Sequence, residues 1–147
     1  MNRELKFRIW DKKNNMFIYV WDASHKRLAI SLNGLVYSGM YDDVLPENDY
    51  TIQQYTGLKD RNGKEIYEGD IVTYQQPYRA SRLTHPATTD SYRTIKAPVI
   101  YNQDNFTYEI DRYALGTPMI KTRKDIEVVG NIFENPELIK NNDHNNQ

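Results

Sequence analysis

Glu68 and Asp70 are the best carboxylate pair for acid–base chemistry in this 147-residue sequence. On a straight strand, residues i and i+2 share a face about 6.6–6.8 Å apart, which is within the range an inverting glycoside hydrolase uses for its acid and base. Gly69 between them predicts a bend instead of a regular strand. The competing reading is a solvated turn whose carboxylates accept hydrogen bonds from nearby backbone amides. Spacing alone does not separate their pKa values as catalysis requires, so the structural reading is favoured.

Other chemical candidates fail on spacing. Gly57 to Lys64 has five residues between its glycines where a phosphate-binding loop has four, and Glu65 stands where a hydroxyl would hold magnesium. Asp60-Arg61-Asn62-Gly63 places its glycine two positions too early for a calcium loop. His25, His85 and His144 are isolated from one another and read as surface histidines, not zinc ligands. With no cysteine and no Gly-x-Ser-x-Gly elbow, nucleophilic catalysis has no candidate. The expectation is a protein that is not an enzyme and holds no metal or cofactor.

One charged segment remains. Residues 76–96 carry Arg79, Arg82, Arg93 and Lys96 against Asp90, a local charge of +3, with Tyr78 and Tyr92 interleaved. Cations that track phosphates, beside aromatics that stack on bases, are the equipment of single-strand nucleic-acid binding. The competing reading is a solvated loop whose charges keep it soluble. That reading is favoured, because the chain as a whole has a net charge of −1 and the remainder opposes a polyanion.

The elements that must position these residues are mostly strands. Leu, Ile, Val and Phe make up 33 of the 147 residues, a thin supply, but 12 Tyr and 2 Trp add enough apolar area for a core of Ile, Val and Tyr. Residues 5–10 alternate as a half-buried strand, and residues 16–21, apolar on both faces, read as its more buried partner across a loop at 11–15. Residues 28–37 suggest a second hairpin with a type I′ turn at Asn33-Gly34. Further strands are expected at 50–56, 65–67, 70–75, 98–102, 106–111 and 125–133, the last with Ile126, Val128 and Ile132 on one face. Two prolines and few aliphatics make 76–96 a long loop. Asn135 is placed to cap a short C-terminal helical turn, with Pro136 at its first position.

Three stretches carry a family resemblance. The first is the opening Lys6-Phe7-Arg8-Ile9-Trp10-Asp11. The second is the run from Gln54 to Val72 through Asp60-Arg61-Asn62-Gly63 and Glu68-Gly69-Asp70-Ile71-Val72. The third is the run from Val128 to Leu138 through Gly130-Asn131 and Asn135-Pro136-Glu137. Together they resemble the YopX family of phage and prophage proteins over residues 5–139, although that family more usually has a small residue at the Ile9 position. The resemblance implies a predominantly β protein and transfers no catalytic residue. Gly57, Asn62, Gly63, Gly69, Asp70, Gly130 and Pro136 are expected to be structural. The Glu-Gly-Asp-Ile-Val entry is shared with small SH3-like barrels, by analogy of fold alone.

The sequence thus predicts a mostly β fold, either a small SH3-like barrel or a compact antiparallel β domain with N-terminal hairpins. It is expected to be one domain over 1–140, with a hairpin subdomain at 1–50, a flexible insertion at 76–96 and a disordered tail at 141–147. No apolar leader and no long apolar run is present, so a host-cytoplasmic protein that does not engage membrane is expected. Its expected role is an interaction module that binds an unidentified protein partner or forms a homo-oligomer. Tyr37, Tyr41, Tyr50 and Tyr55 are candidates for that surface. Nucleic-acid binding is the alternative.

Overall fold

The computed structural model describes residues 4–19, 28–31, 33–38, 43–78, 91–103, 107–110 and 124–140. Within these, strands dominate, and helix is confined to a 3-10 turn at Glu47–Asp49 and a C-terminal turn α1 at Glu137–Lys140. Every strand pair with a defined register is antiparallel. The chain divides into two compact units, Met1–Gly57 and Leu58–Gln147.

In the first unit, β1 (Phe7–Asp11) lies between β2 (Met16–Tyr19) and β6 (Tyr50–Lys59). A small sheet of β3 (Leu28–Ile30), β4 (Val36–Ser38) and β5 (Asp43–Val44) accompanies them. Ile9, Val36 and Tyr50 form the core, with Ile18, Ile30, Leu45 and Ile52 packed against it. The Tyr50 hydroxyl accepts the Val36 amide, at 3.3 Å.

Two expectations need correcting here. β2 is a terminal strand with Met16 and Tyr19 exposed, whereas β1 is the buried one. Position in the sheet, which depends on distant β6, outweighs local apolarity. The turn at Asn33-Gly34 is not type I′, because only Gly34 has positive φ (84°). Ser31 N–H instead donates to Leu35 O, and Gly34 N–H to Ser31 O, each at 2.9 Å. That is the pattern of a longer loop closed by a left-handed glycine.

In the second unit the strand order is β10-β9-β8-β11, for β8 (Asp70–Tyr78), β9 (Ser91–Asn102), β10 (Thr107–Ile110) and β11 (Glu127–Asn131). The end of β6 enters this unit and pairs with β7 (Glu65–Tyr67) across the turn at Asp60–Lys64. Alternation puts Val72 and Tyr74 of β8 and Ala97 and Val99 of β9 on one face, where they join Ile66, Tyr108, Ile110, Ile126 and Val128. Burying each such aliphatic contributes about 1.5–3 kcal/mol.

β8 and β9 are longer than expected. Gln76 pairs with Arg93, Pro77 with Tyr92 and Tyr78 with Ser91, so both ends of the 76–96 segment are strand, not loop. Thr94, Ile95 and Tyr92 are good strand formers, and pairing across the hairpin supplies what their apolar content does not. Residues 79–90 and the expected tail at 141–147 lie outside the described residues. β11 is shorter than expected. A bulge between Val128 and Gly130 breaks its alternation, and Ile132 belongs to the turn that follows.

Candidate functional site

The charged hairpin is the segment with the clearest binding chemistry, and its strand register sorts the candidates. Tyr92 and Lys96 stand four residues apart on β9, hence on one face, with Thr94 between them. Arg93 has the opposite parity and shares the face of Ile95 and Ala97. The predicted cluster is therefore divided between two faces. Tyr92 is 58% exposed, and Gln75 Nε2, next to this row, donates to Thr94 Oγ1 at 2.9 Å. Tyr78 takes part in β8 through its backbone, while Arg79, Arg82 and all three histidines lie outside the described residues.

The tyrosines expected at a surface are largely inside. Tyr50 and Tyr55 are buried, and Tyr55 lies under the Lys6 ammonium, 5.6 Å from the ring centroid. Tyr37 is half-buried and Tyr41 falls outside the described residues. Among the described residues the exposed tyrosines are instead Tyr19, Tyr92 and Tyr101. Tyr101 packs edge-on against Tyr108 of terminal strand β10, with ring centroids 5.1 Å apart, and remains 40% exposed.

The carboxylate pair proves to be structural on one side. Asp70 is almost fully buried, with one oxygen accepting the Tyr67 amide at 2.8 Å and the other accepting Asn131 Nδ2 at 3.2 Å. Glu68 is half-buried in the preceding turn, where Gly69 has φ 77°. The expected bend is present, but Asp70 is held inside and not solvated.

Most of the remaining motif residues organise β11. Asp60 Oδ1 accepts the amides of Asn62 (2.8 Å) and Lys64 (2.9 Å), and Oδ2 accepts the amide of Val128 (3.1 Å). Burial pushes the Asp60 carboxyl up. The amides of Val128, Lys64 and Asn62, with the Lys64 charge, outweigh it and hold the group below the usual carboxylate value. Gly63, at φ 83°, closes this turn, and its amide donates to Asp60 O. Gly57, at φ 85°, stands in β6 where the chain passes into the second unit.

Gly130 is required by space. A Cβ there would lie 2.7 Å from Asn135 Oδ1 and 2.9 Å from Leu138 Cδ1. Asn135 does not cap α1 with its side chain as expected. Its Oδ1 turns back to the Asn131 amide, at 3.3 Å, while its backbone carbonyl accepts Leu138 N–H. Pro136 stands just before α1.

Sequence reasoning missed four residues. Arg8 is 5% exposed, donates to Gln53 Oε1 at 2.8 Å and stacks 4.2 Å from the Phe17 ring centroid. Neither Arg8 nor Gln53 has a local signal, because they meet across 45 residues. Asn131 and Glu127, the partners of Asp70 and Arg61, likewise meet them only across long stretches of chain. No group of three or more metal-capable side chains is present among the described residues, nor is there a helix long and apolar enough to cross a membrane.

The fold and its pinned turns define a mostly antiparallel β protein in which buried acid and amide side chains tie turns to strands. A YopX protein family model matches residues 6–140, and the chain belongs to the YopX family. Among solved structures it is similar to protein EF1440 from Enterococcus faecalis, at 28% identity and a TM-score of 0.53, covering 93% of this chain and 99% of that one. It is also similar to protein yopX from Bacillus subtilis, at 20% identity and a TM-score of 0.44, covering 90% and 94%. No curated protein matches it significantly.

Proposed function

We propose that this YopX-family chain is a non-enzymatic interaction module of phage or prophage origin. In this reading it acts in the host cytoplasm by binding a protein partner or a second copy of itself. The observation that supports this is the exposed Tyr101, braced on Tyr108 at the terminal strand of the β10-β9-β8-β11 sheet. Tyrosine held rigid against a neighbouring ring supplies contact area at low entropic cost and is enriched at interfaces. Self-association appears in light scattering as a mass above the 17.4 kDa of one chain. Tyr101→Ser should lower that mass, or weaken capture of a purified partner, in a protein that still melts cooperatively, at a somewhat lower temperature because the ring contact with Tyr108 is lost. An unaltered interaction in that variant would remove Tyr101 from the reading.

Nucleic-acid binding is the second reading, supported by the exposed Tyr92 and by Lys96 on the same face of β9. In this case affinity for a single-stranded oligonucleotide falls steeply with salt. Joint replacement of Arg79, Arg82 and Arg93 abolishes it, and Tyr92→Ala with Lys96→Ala weakens it further than Arg93→Ala alone. Equal binding by the triple variant would retire this second reading.

A further inference from the structure

Asn-Gly occurs twice in the chain, at Asn33-Gly34 and at Asn62-Gly63, and both pairs fold into the same turn. Gly34 N–H donates to Ser31 O at 2.9 Å and Gly63 N–H to Asp60 O at 3.0 Å, with the glycines at φ 84° and 83°. Ser31 N–H donates to Leu35 O at 2.9 Å and Asp60 N–H to Lys64 O at 2.8 Å. In each turn the opening side chain accepts the closing amide. Leu35 N–H bonds Ser31 Oγ at 3.0 Å, and Lys64 N–H bonds Asp60 Oδ1 at 2.9 Å. Both asparagines are exposed, and a Cβ built on either glycine would meet nothing within 4 Å. One backbone thus occurs twice, in different surroundings.

Asparagine before glycine is open to attack by the next backbone nitrogen, because glycine puts no side chain beside that atom. The glycine N–H loses its proton to solvent, the nitrogen bonds to the asparagine Cγ, and the Cγ–Nδ2 bond breaks with loss of ammonia. Water then opens the succinimide ring at either carbonyl and leaves an aspartyl or isoaspartyl residue. The turn must first open far enough to free the glycine amide and swing the side chain onto it.

We infer that Asn33 is a site of spontaneous deamidation in the folded protein, and that Asn62 is protected from the same reaction. The Asn62 turn is held from outside. Arg61 N–H donates to Ile126 O at 2.9 Å, Val128 N–H to Asp60 Oδ2 at 3.1 Å, and the Arg61 side chain bonds Glu127. Opening that turn therefore breaks bonds to β11 and the residue before it. The Asn33 turn, among the described residues, is bonded only within 31–35. Side-chain partners act in the same direction. The Ser31 hydroxyl shares its proton between Leu35 O, at 3.1 Å, and Asn33 Oδ1, which draws electron density from Cγ and assists attack. At Asn62 the bonded atom is instead Nδ2, which donates to Glu127 Oε1 at 3.4 Å. A carboxylate there feeds density into the amide and retains its leaving nitrogen.

The test needs only the unaltered full chain, kept in warm, mildly alkaline buffer and sampled over days. Peptide mapping by mass spectrometry reads the conversion of amide to acid at each position. In the folded protein, position 33 should convert about fivefold or more faster than position 62. In guanidinium chloride, where both turns are lost, the two positions should convert at similar rates. Equal or reversed rates in the folded protein overturn the inference, as does the same bias persisting in denaturant. So does a folded chain whose position 33 stays an amide while the denatured sample converts.

Discussion

Asp60 shows how much one side chain can do in a thinly apolar protein. Its carboxylate accepts three backbone amides, one of them 68 residues away, and it is almost wholly buried. Hydrogen bonds to a charged group contribute about 1.5–3 kcal/mol each and do not add in full, so Asp60→Ala should cost about 2–4 kcal/mol in denaturant unfolding. The pH dependence follows from the lowered carboxyl value. Stability supplied by the ionised group is complete above its unfolded value and is lost as pH falls through the lower folded one. Wild-type stability should therefore drop below about pH 3.8, and Asp60→Asn should be weaker at neutral pH with a shallower acid limb. Titration followed by circular dichroism checks both. Gly130 makes a complementary point about space. The alanine Cβ meets an Asn135 oxygen already committed to the Asn131 amide, so Gly130→Ala should cost about 1–3 kcal/mol by thermal melting. The Arg61–Glu127 pair is largely exposed, and Arg61→Ala should change stability by less than about 1 kcal/mol, and by less still in high salt.

At the scale of elements, period-two patterns and Gly-containing turns were legible in the sequence. The strands at 7–11, 65–67 and 107–110 and the turn at Asp60–Gly63 lie where alternation and turn chemistry place them. What was not legible depended on partners far along the chain. β2 looked like an interior strand because it is apolar on both faces, yet its exposure follows from β6 taking the other side of β1. The strand ends at Gln76–Tyr78 and Ser91–Lys96 looked like loop because proline, threonine and charge dominate them, but each backbone finds its partner across the hairpin. The candidate site was legible in its residue types and not in its arrangement. Tyr92, Arg93 and Lys96 qualify by their chemistry, and alternation along β9 sets Arg93 on the other face. A testable consequence is that Tyr92→Ala and Lys96→Ala act together in any binding assay that uses this hairpin, while Arg93→Ala acts separately from both.

At the scale of the molecule, family membership spans residues 6–140, close to the 5–139 on which the motifs align, and the fold is mostly β as composition and periodicity foretell. The motif residues mainly build the protein. Asp60, Asp70, Asn131 and Gly130 tie turns to β8 and β11. Among the described residues, the exposed tyrosines and the strand ends of the charged hairpin carry chemistry suited to recognition. The proposal that recognition is of protein is tested most directly by one pull-down. The tagged chain is recovered from cells that carry its gene, and the sample is divided between nuclease treatment and none. The account predicts that the same proteins, or untagged copies of the chain itself, are retained in both halves. Loss of all captured protein on nuclease treatment would contradict it and favour the nucleic-acid reading.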